Sequence, residues 1–160
     1  MLNITLICVG KLKEKFYIAA VEEYQKRLKS CCKLDLIELP EARLPSVPAP
    51  AEIDAALEKE AQTILAKLPK KAVVIAMCIE GTELSSEALA HQLQQWAVSG
   101  HSNLAILIGS SYGLHTVIKQ KATLKLSMSP MTFPHHLARV MVLEQIYRAF
   151  KINEGSLYHK

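Results

Sequence analysis

Two loop-like segments and a histidine-bearing terminal tail, all within the last third of the chain, combine residue types suited to holding a ligand. The first loop reads Gly109-Ser110-Ser111-Tyr112-Gly113. The second reads Ser129-Pro130-Met131-Thr132-Phe133-Pro134-His135-His136. The tail closes as Gly155-Ser156-Leu157-Tyr158-His159-Lys160. Each loop follows an apolar run, and in an open α/β sheet the ligand crevice lies beyond the carboxyl ends of the strands. Glycines in the first loop let a flat or anionic ligand lie against bare backbone, although the same residues also suit a tight strand-to-helix turn. The second loop reads equally as a capped helix start, with Thr132 or Ser129 as cap and Phe133 as hydrophobic staple. As a site, it offers backbone N–H and C=O groups able to read an adenine edge.

Titratable groups cluster in the same stretch. His135 and His136 are adjacent, so on a helix they point about 100° apart and cannot share a metal ion. His135 and Arg139 share a helix face, and so do Glu144 and Arg148, a spacing that suits a local ion pair. Tyr158-His159-Lys160 places an aromatic ring beside two cationic or basic groups, a combination suited to stacking on an unpaired base near a phosphate. Residues 113–160 hold seven Lys or Arg against two Glu, a net of +5, whereas residues 1–112 hold twelve against thirteen acidic residues, a net of −1. A basic end of this kind points to an anionic partner.

The elements that must hold these residues are legible as hydrophobic periodicity. Strands are expected at 2–9, 34–39, 72–79, 104–108 and 123–128. The runs at 72–79 and 104–108 are continuously apolar, as in strands buried on both faces. Helices are expected at 14–29, with Phe16, Ala20, Tyr24 and Leu28 inward, and at 51–68, with Ile53, Leu57, Ile64 and Leu68 inward. Further helices are expected from Ser85 or Ser86 to Val98, at 116–122, and from Pro134 as first helical residue to about Phe150. The last is apolar on most sides and so is expected to be covered by something beyond its own domain. Pro40, Pro45, Pro48 and Pro50 mark a surface loop. Alternating strands and helices predict an α/β fold, a parallel sheet with helices on both faces, in one domain spanning 1–160.

Composition narrows the classes further. Half of the 160 residues are hydrophobic and 21% are charged, an ordinary globular balance. No apolar run reaches membrane-spanning length, and no signal-like leader opens the chain, so neither membrane nor export is expected. Cys8, Cys31, Cys32 and Cys78 lack metal-ligand spacing. A reduced, cytoplasmic chain without metal is the expectation. Neither G-x-G-x-x-G nor G-x-x-x-x-G-K-[ST] occurs, which argues against a Rossmann dinucleotide site and a P-loop.

Taken in order, Ile108 to Leu114, Leu126 to His135, Arg139, Glu144-Gln145-Ile146-Tyr147-Arg148-Ala149 and Tyr158-His159-Lys160 resemble the small bacterial rRNA large-subunit pseudouridine methyltransferases of the SPOUT class. Val9-Gly10-Lys11-Leu12-Lys13 and the chain length fit as well. The resemblance implies a SPOUT-type fold with a C-terminal trefoil knot. It implies S-adenosylmethionine as cofactor, lined by Met77, Gly109, Met128, Ser129, Pro130, Met131, Thr132 and Phe133. It implies a homodimer joined through the last helix. The substrate would be a pseudouridine of 23S rRNA, methylated at ring N3 in the assembled ribosome. His135 and His159 are then the candidates to take the imide proton, Tyr158 the residue to position the base, and Arg139, Arg148, Lys151 and Lys160 the phosphate contacts. The tail of one protomer is expected to complete its partner's site.

This chain departs from the family pattern at three positions. Ser110 replaces a common second glycine, and a left-handed backbone there would cost serine about 1 kcal/mol. Cys78 replaces a common acidic residue, and Pro130 removes an N–H donor. A ribosome-binding protein that keeps the fold without catalysis is the alternative. A flavodoxin-like enzyme is a third reading, but Gly10-Lys11-Leu12-Lys13 is poor in the residues its phosphate loop needs.

Overall fold

The computed structural model describes all residues, Met1–Lys160. Five strands, β1 (Asn3–Val9), β2 (Lys33–Leu39), β3 (Val73–Glu83), β4 (Asn103–Ile108) and β5 (Leu124–Ser127), form one sheet in the order β2-β1-β4-β3-β5. Every pairing is parallel, so the expected architecture is the observed one. The central strands β1 and β4 are almost wholly buried; β4 follows from its continuous apolar run at 104–108, while β1 buries Thr5 among its apolar residues.

The helices are α1 (Lys15–Leu28), α2 (Pro50–Lys67), α3 (Ser86–Val98), α4 (Thr116–Lys121) and α5 (His135–Asn153). On one face of the sheet, α5 packs between α1 and α3 over the larger core, which holds Ile4, Leu6, Ile75, Ile106, Leu143 and Ile146. On the other face, α2 and α4 cover a smaller core around Ile7, Leu107, Ile64 and Ile118. Ser85 caps α3 by accepting the Ala88 N–H at 3.1 Å. At α2, Pro50 occupies the first turn and Glu52 reaches back to the Ala49 N–H at 3.0 Å.

Four expectations are corrected. The inward face of α1 is Tyr17, Val21, Tyr24 and Leu28, while Phe16 is 65% exposed. A strict four-residue step drifts by about 40° per step around a helix of 3.6 residues per turn, so the stripe through Phe16 leaves the core. On α2 the residues fully buried are Ala56, Glu60, Ala61 and Ile64, with Ile53, Leu57 and Leu68 only partly buried. The strand β3 does not stop at Ile79. Met77 and Thr82 both pair with Leu126, so residues 78–81 bulge outward and the strand resumes. Gly81 makes this possible, since a Cβ there would lie 2.7 Å from the Lys125 backbone. Finally, α5 begins at His135, with Pro134 as its cap at an extended ψ of 137°. Its carbonyl accepts the Ala138 N–H at 2.9 Å, and the helix runs three residues past Phe150.

Candidate functional site

A cavity of about 280 Å³ opens beyond the carboxyl ends of β3, β4 and β5. Its wall contains Met77, Gly109, Met128, Ser129, Met131, Thr132, Phe133 and His135, so most residues expected to meet a cofactor converge there. Pro130 is the exception: it is exposed and does not line the cavity. No residue of the terminal tail lines it either.

The first wall is the loop after β4. Gly113 sits at φ 86° and donates its N–H to the Ser110 carbonyl at 2.8 Å, folding the loop into a tight turn. This turn presses the Gly113 carbonyl onto Gly109. A Cβ on Gly109 would collide with that carbonyl and lie 3.0 Å from the Leu114 nitrogen. Gly109 is therefore required by close approach. Ser110 is not in the left-handed region, since Lys71 is the one non-glycine residue at positive φ. The strain expected there is absent. Its side chain is instead buried, and its hydroxyl donates to Glu60 Oε1 at 2.9 Å.

The second wall is the segment between β5 and α5. Ser129 Oγ accepts the Met131 N–H at 2.9 Å, and the Ser127 hydroxyl donates to the Ser129 carbonyl at 3.2 Å. Two serines thus hold the turn in which Pro130 lacks a donor. The bulge of β3 supplies the third wall. Cys78 lies in it, with burial pushing its thiol pKa upward. The carboxylate lacking at position 78 stands two residues later: Glu80 lines the cavity and is paired with Lys119 of α4. The hydrogen bond from Lys119 holds the Glu80 carboxyl below its usual range.

His135, at the start of α5, completes the lining. Its ring lies 4.2 Å, centroid to centroid, from that of His136. The Nε2 atoms of both are buried without partners. Both crowd Gly10, where a Cβ would lie 3.4 and 3.5 Å from them, so the glycine ending β1 makes room for the two imidazoles. Burial, followed by the neighbouring imidazole, pushes the His135 pKa below its usual 6.5. The lowered pKa favours the neutral ring, whose Nε2 is packed against Gly10.

Arg139, one turn along α5, was expected on a phosphate but lies 1% exposed in the interior. It donates to Glu38 Oε2 at 2.6 Å and to the Gly10 carbonyl at 2.8 Å. Glu38 also accepts the Leu12 N–H at 2.9 Å. Although burial acts in the opposite direction, the Leu12 N–H and Arg139 hold the Glu38 carboxyl below its usual range. Arg139 ties α5 to the ends of β1 and β2 and so is withdrawn from the RNA-facing set.

The tail folds back onto its own chain. Tyr158 donates to Glu144 Oε1 at 3.2 Å and lies beneath the Arg148 guanidinium, 4.8 Å from ring centroid to Cζ. Arg148 pairs with Glu144 at 2.6 Å and meets His159 Nδ1 at 3.2 Å. His159 Nε2 lies 2.8 Å from Glu87 on α3, an interaction that draws the exposed Glu87 carboxyl down to about 2. Lys151 is paired with Glu154, and Lys160 alone among the expected phosphate contacts has no carboxylate partner. Within one chain, His135 and His159 are thus held in separate networks.

Between the two lies an apolar cleft of about 560 Å³ between α3 and α5, walled by Leu89, Leu93, Val140, Met141 and Glu144. It shares Met77, Leu126, Ser127 and Met128 with the first cavity. Sequence reasoning missed Glu60, Glu80, Lys119 and Glu38. Only Glu60 left a trace, as a charged residue three after Leu57 and four before Ile64 on the apolar face of α2.

A family model described as "Predicted SPOUT methyltransferase" matches residues 2–159. Among solved structures, the chain is similar to a probable methylase family protein from Haemophilus influenzae Rd KW20, with a TM-score of 0.55. The match covers 99% of this chain and 70% of that one at 16% identity, a likeness of fold.

Proposed function

The chain belongs to the SPOUT methyltransferase family, and from that premise we propose that it is an S-adenosylmethionine-dependent enzyme methylating ring N3 of a pseudouridine in 23S rRNA of the assembled ribosome. The observation that carries this reading is the convergence of the two loops and the β3 bulge on one cavity, whose lining includes a histidine of lowered pKa. The pinched backbone at Gly109 leaves main chain bare for a flat ring, and Met77, Met128 and Phe133 offer an apolar bed. The Glu80–Lys119 pair at the wall complements a zwitterionic amino-acid end. At about 280 Å³ the cavity is near the lower end of the range of roughly 300–1,000 Å³ usual for ligand pockets.

When bound, the cofactor supplies a methyl group already activated on a sulfonium centre. The protein's part is alignment, exclusion of water and removal of the imide proton. His135 takes that proton: it lines the cavity and its lowered pKa favours the neutral ring, and its Nε2, buried against Gly10 in this structure, turns toward the substrate to accept it. Tyr158 and His159 act from the tail, with Tyr158 stacking or positioning the base. Arg148, Lys151 and Lys160 meet phosphates, the first two by exchanging their present carboxylate partners.

The cleft between α3 and α5 receives α5 of a second copy, giving a homodimer. That arrangement carries each tail toward its partner's cavity, which no tail residue reaches within one chain. The deciding experiment is mass mapping of 23S rRNA from cells with and without the protein, together with methyl transfer to purified ribosomes. One lost N3-methylpseudouridine, restored by the protein and S-adenosylmethionine, is the expected result. An unchanged rRNA with intact ribosome binding would instead establish the non-enzymatic reading.

A further inference from the structure

The buried carboxylate of Glu60 has no place in the mechanism above. It lies midway along α2, only 5% exposed, on the sheet face away from α5. Burying a carboxylate is costly unless it is paired or well hydrogen-bonded. Glu60 has no cationic partner within ion-pair distance. Burial accordingly pushes its pKa upward. Each of its two oxygens nonetheless accepts one hydrogen bond. Oε1 accepts the Ser110 hydroxyl at 2.9 Å, and Oε2 accepts the Ala42 N–H at 2.9 Å.

Both partners are in loops that leave the carboxyl ends of strands, after β4 and after β2. The same helix supports the far end of the first loop. Asp54 lies 3.5 Å from His115 Nε2, and His115 Nδ1 accepts the Val117 N–H to cap α4. The segment from 109 to 115 is thus braced on α2 at both ends. Ser110 lines the cavity together with Gly109, Ser111 and Tyr112, and its hydroxyl is committed to Glu60 of α2.

We propose that Glu60 is a positioning residue for cofactor binding, which acts through the Ser110 hydroxyl to hold the 109–113 loop in its ligand-accepting shape. This rests on the methyltransferase reading. It also accounts for a serine where a second glycine is the family's common choice: Ser110 adds an anchor and meets no backbone strain.

The test is calorimetric binding of S-adenosylmethionine to the full chain and its variants. Glu60→Ala and Ser110→Ala should each weaken binding at least tenfold. The double variant should be no weaker than the worse single one, since both remove the same link. Glu60→Gln should recover most of the loss, because its amide can accept the Ala42 N–H and donate to Ser110 Oγ. In turnover, the KM for S-adenosylmethionine should rise while kcat at saturation stays within about twofold, a split that general destabilisation would not produce. Losses that add, or wild-type affinity in Ser110→Ala, would overturn the proposal even if Glu60→Ala fails to fold. A wild-type chain that binds no S-adenosylmethionine would overturn the underlying reading instead, and this proposal with it.

Discussion

Adding a single methyl group at Gly109 should disable the cavity. A Cβ there cannot coexist with the Gly113 carbonyl, so the turn from 110 to 113 must open. Opening it gives up the Gly113 N–H to Ser110 C=O bond, worth about 1 kcal/mol net. It also pulls the Ser110 hydroxyl from Glu60 and leaves a buried carboxylate oxygen unpartnered, costing roughly 1–3 kcal/mol. The sum, about 2–4 kcal/mol, falls on the loop that forms one wall of the cavity. If the ligand must restore the closed loop on binding, affinity for S-adenosylmethionine drops by about 30- to 1,000-fold. The comparison variant is Gly113→Ala. Gly113 has open space where a Cβ would go, but its φ of 86° imposes about 1–2 kcal/mol of backbone strain. Calorimetric titration should therefore rank wild type above Gly113→Ala and Gly113→Ala above Gly109→Ala. Near-wild-type affinity in Gly109→Ala, or a reversed ranking, would refute the close-approach argument.

Arg139→Met should destabilise the chain by about 1–3 kcal/mol in urea denaturation, because it leaves the buried Gly10 carbonyl without its donor and removes the charged partner of the part-exposed Glu38. Glu38 is held below its ordinary value of 4.5 in the fold, so its contribution is complete above that pH and fades as the pH falls through the folded value; stability curves should lose part of this acid limb in Arg139→Met. His135 is depressed below 6.5, so it remains a neutral acceptor at pH values where an exposed imidazole is already charged. The acidic limb of methyl transfer should lie below pH 6.5 and vanish, with most of the rate, in His135→Gln. The same depression means that folding stability falls with acidification once the pH drops below 6.5, since the unfolded chain then binds the extra proton. Removal of residues 157–160 should abolish methyl transfer yet leave S-adenosylmethionine binding intact, as no tail residue lines the cavity; normal transfer by the truncated chain would remove the tail from the mechanism.

Much of the architecture was legible because its cause is local and repetitive. Buried parallel strands must be continuously apolar, and β4 could be read from five residues. The loops at strand ends announced themselves through glycine and proline, and seven of the eight residues expected to meet a cofactor do line the cavity. Periodicity failed where a side chain's role depends on what it meets across the fold. Arg139 has the sequence environment of a surface cation, but Glu38, 101 residues earlier, converts it into an interior strut. Glu80 and Lys119 are unremarkable until the β3 bulge brings them together.

The amino-acid pattern by itself determined an α/β fold, the order of its elements, and the end of the sheet at which the cavity opens. These follow from hydrophobic spacing and from the backbone freedom of glycine and proline, which act within a few residues. The tertiary structure decided which polar groups are available for chemistry. It buried Arg139, lowered the His135 pKa and left one of its nitrogens buried without a partner, committed Ser110 to Glu60, and tied His159 to Glu87 away from the cavity. Hydrogen bonding and desolvation depend on distances between segments far apart in the chain, and those distances exist only once the sheet has assembled.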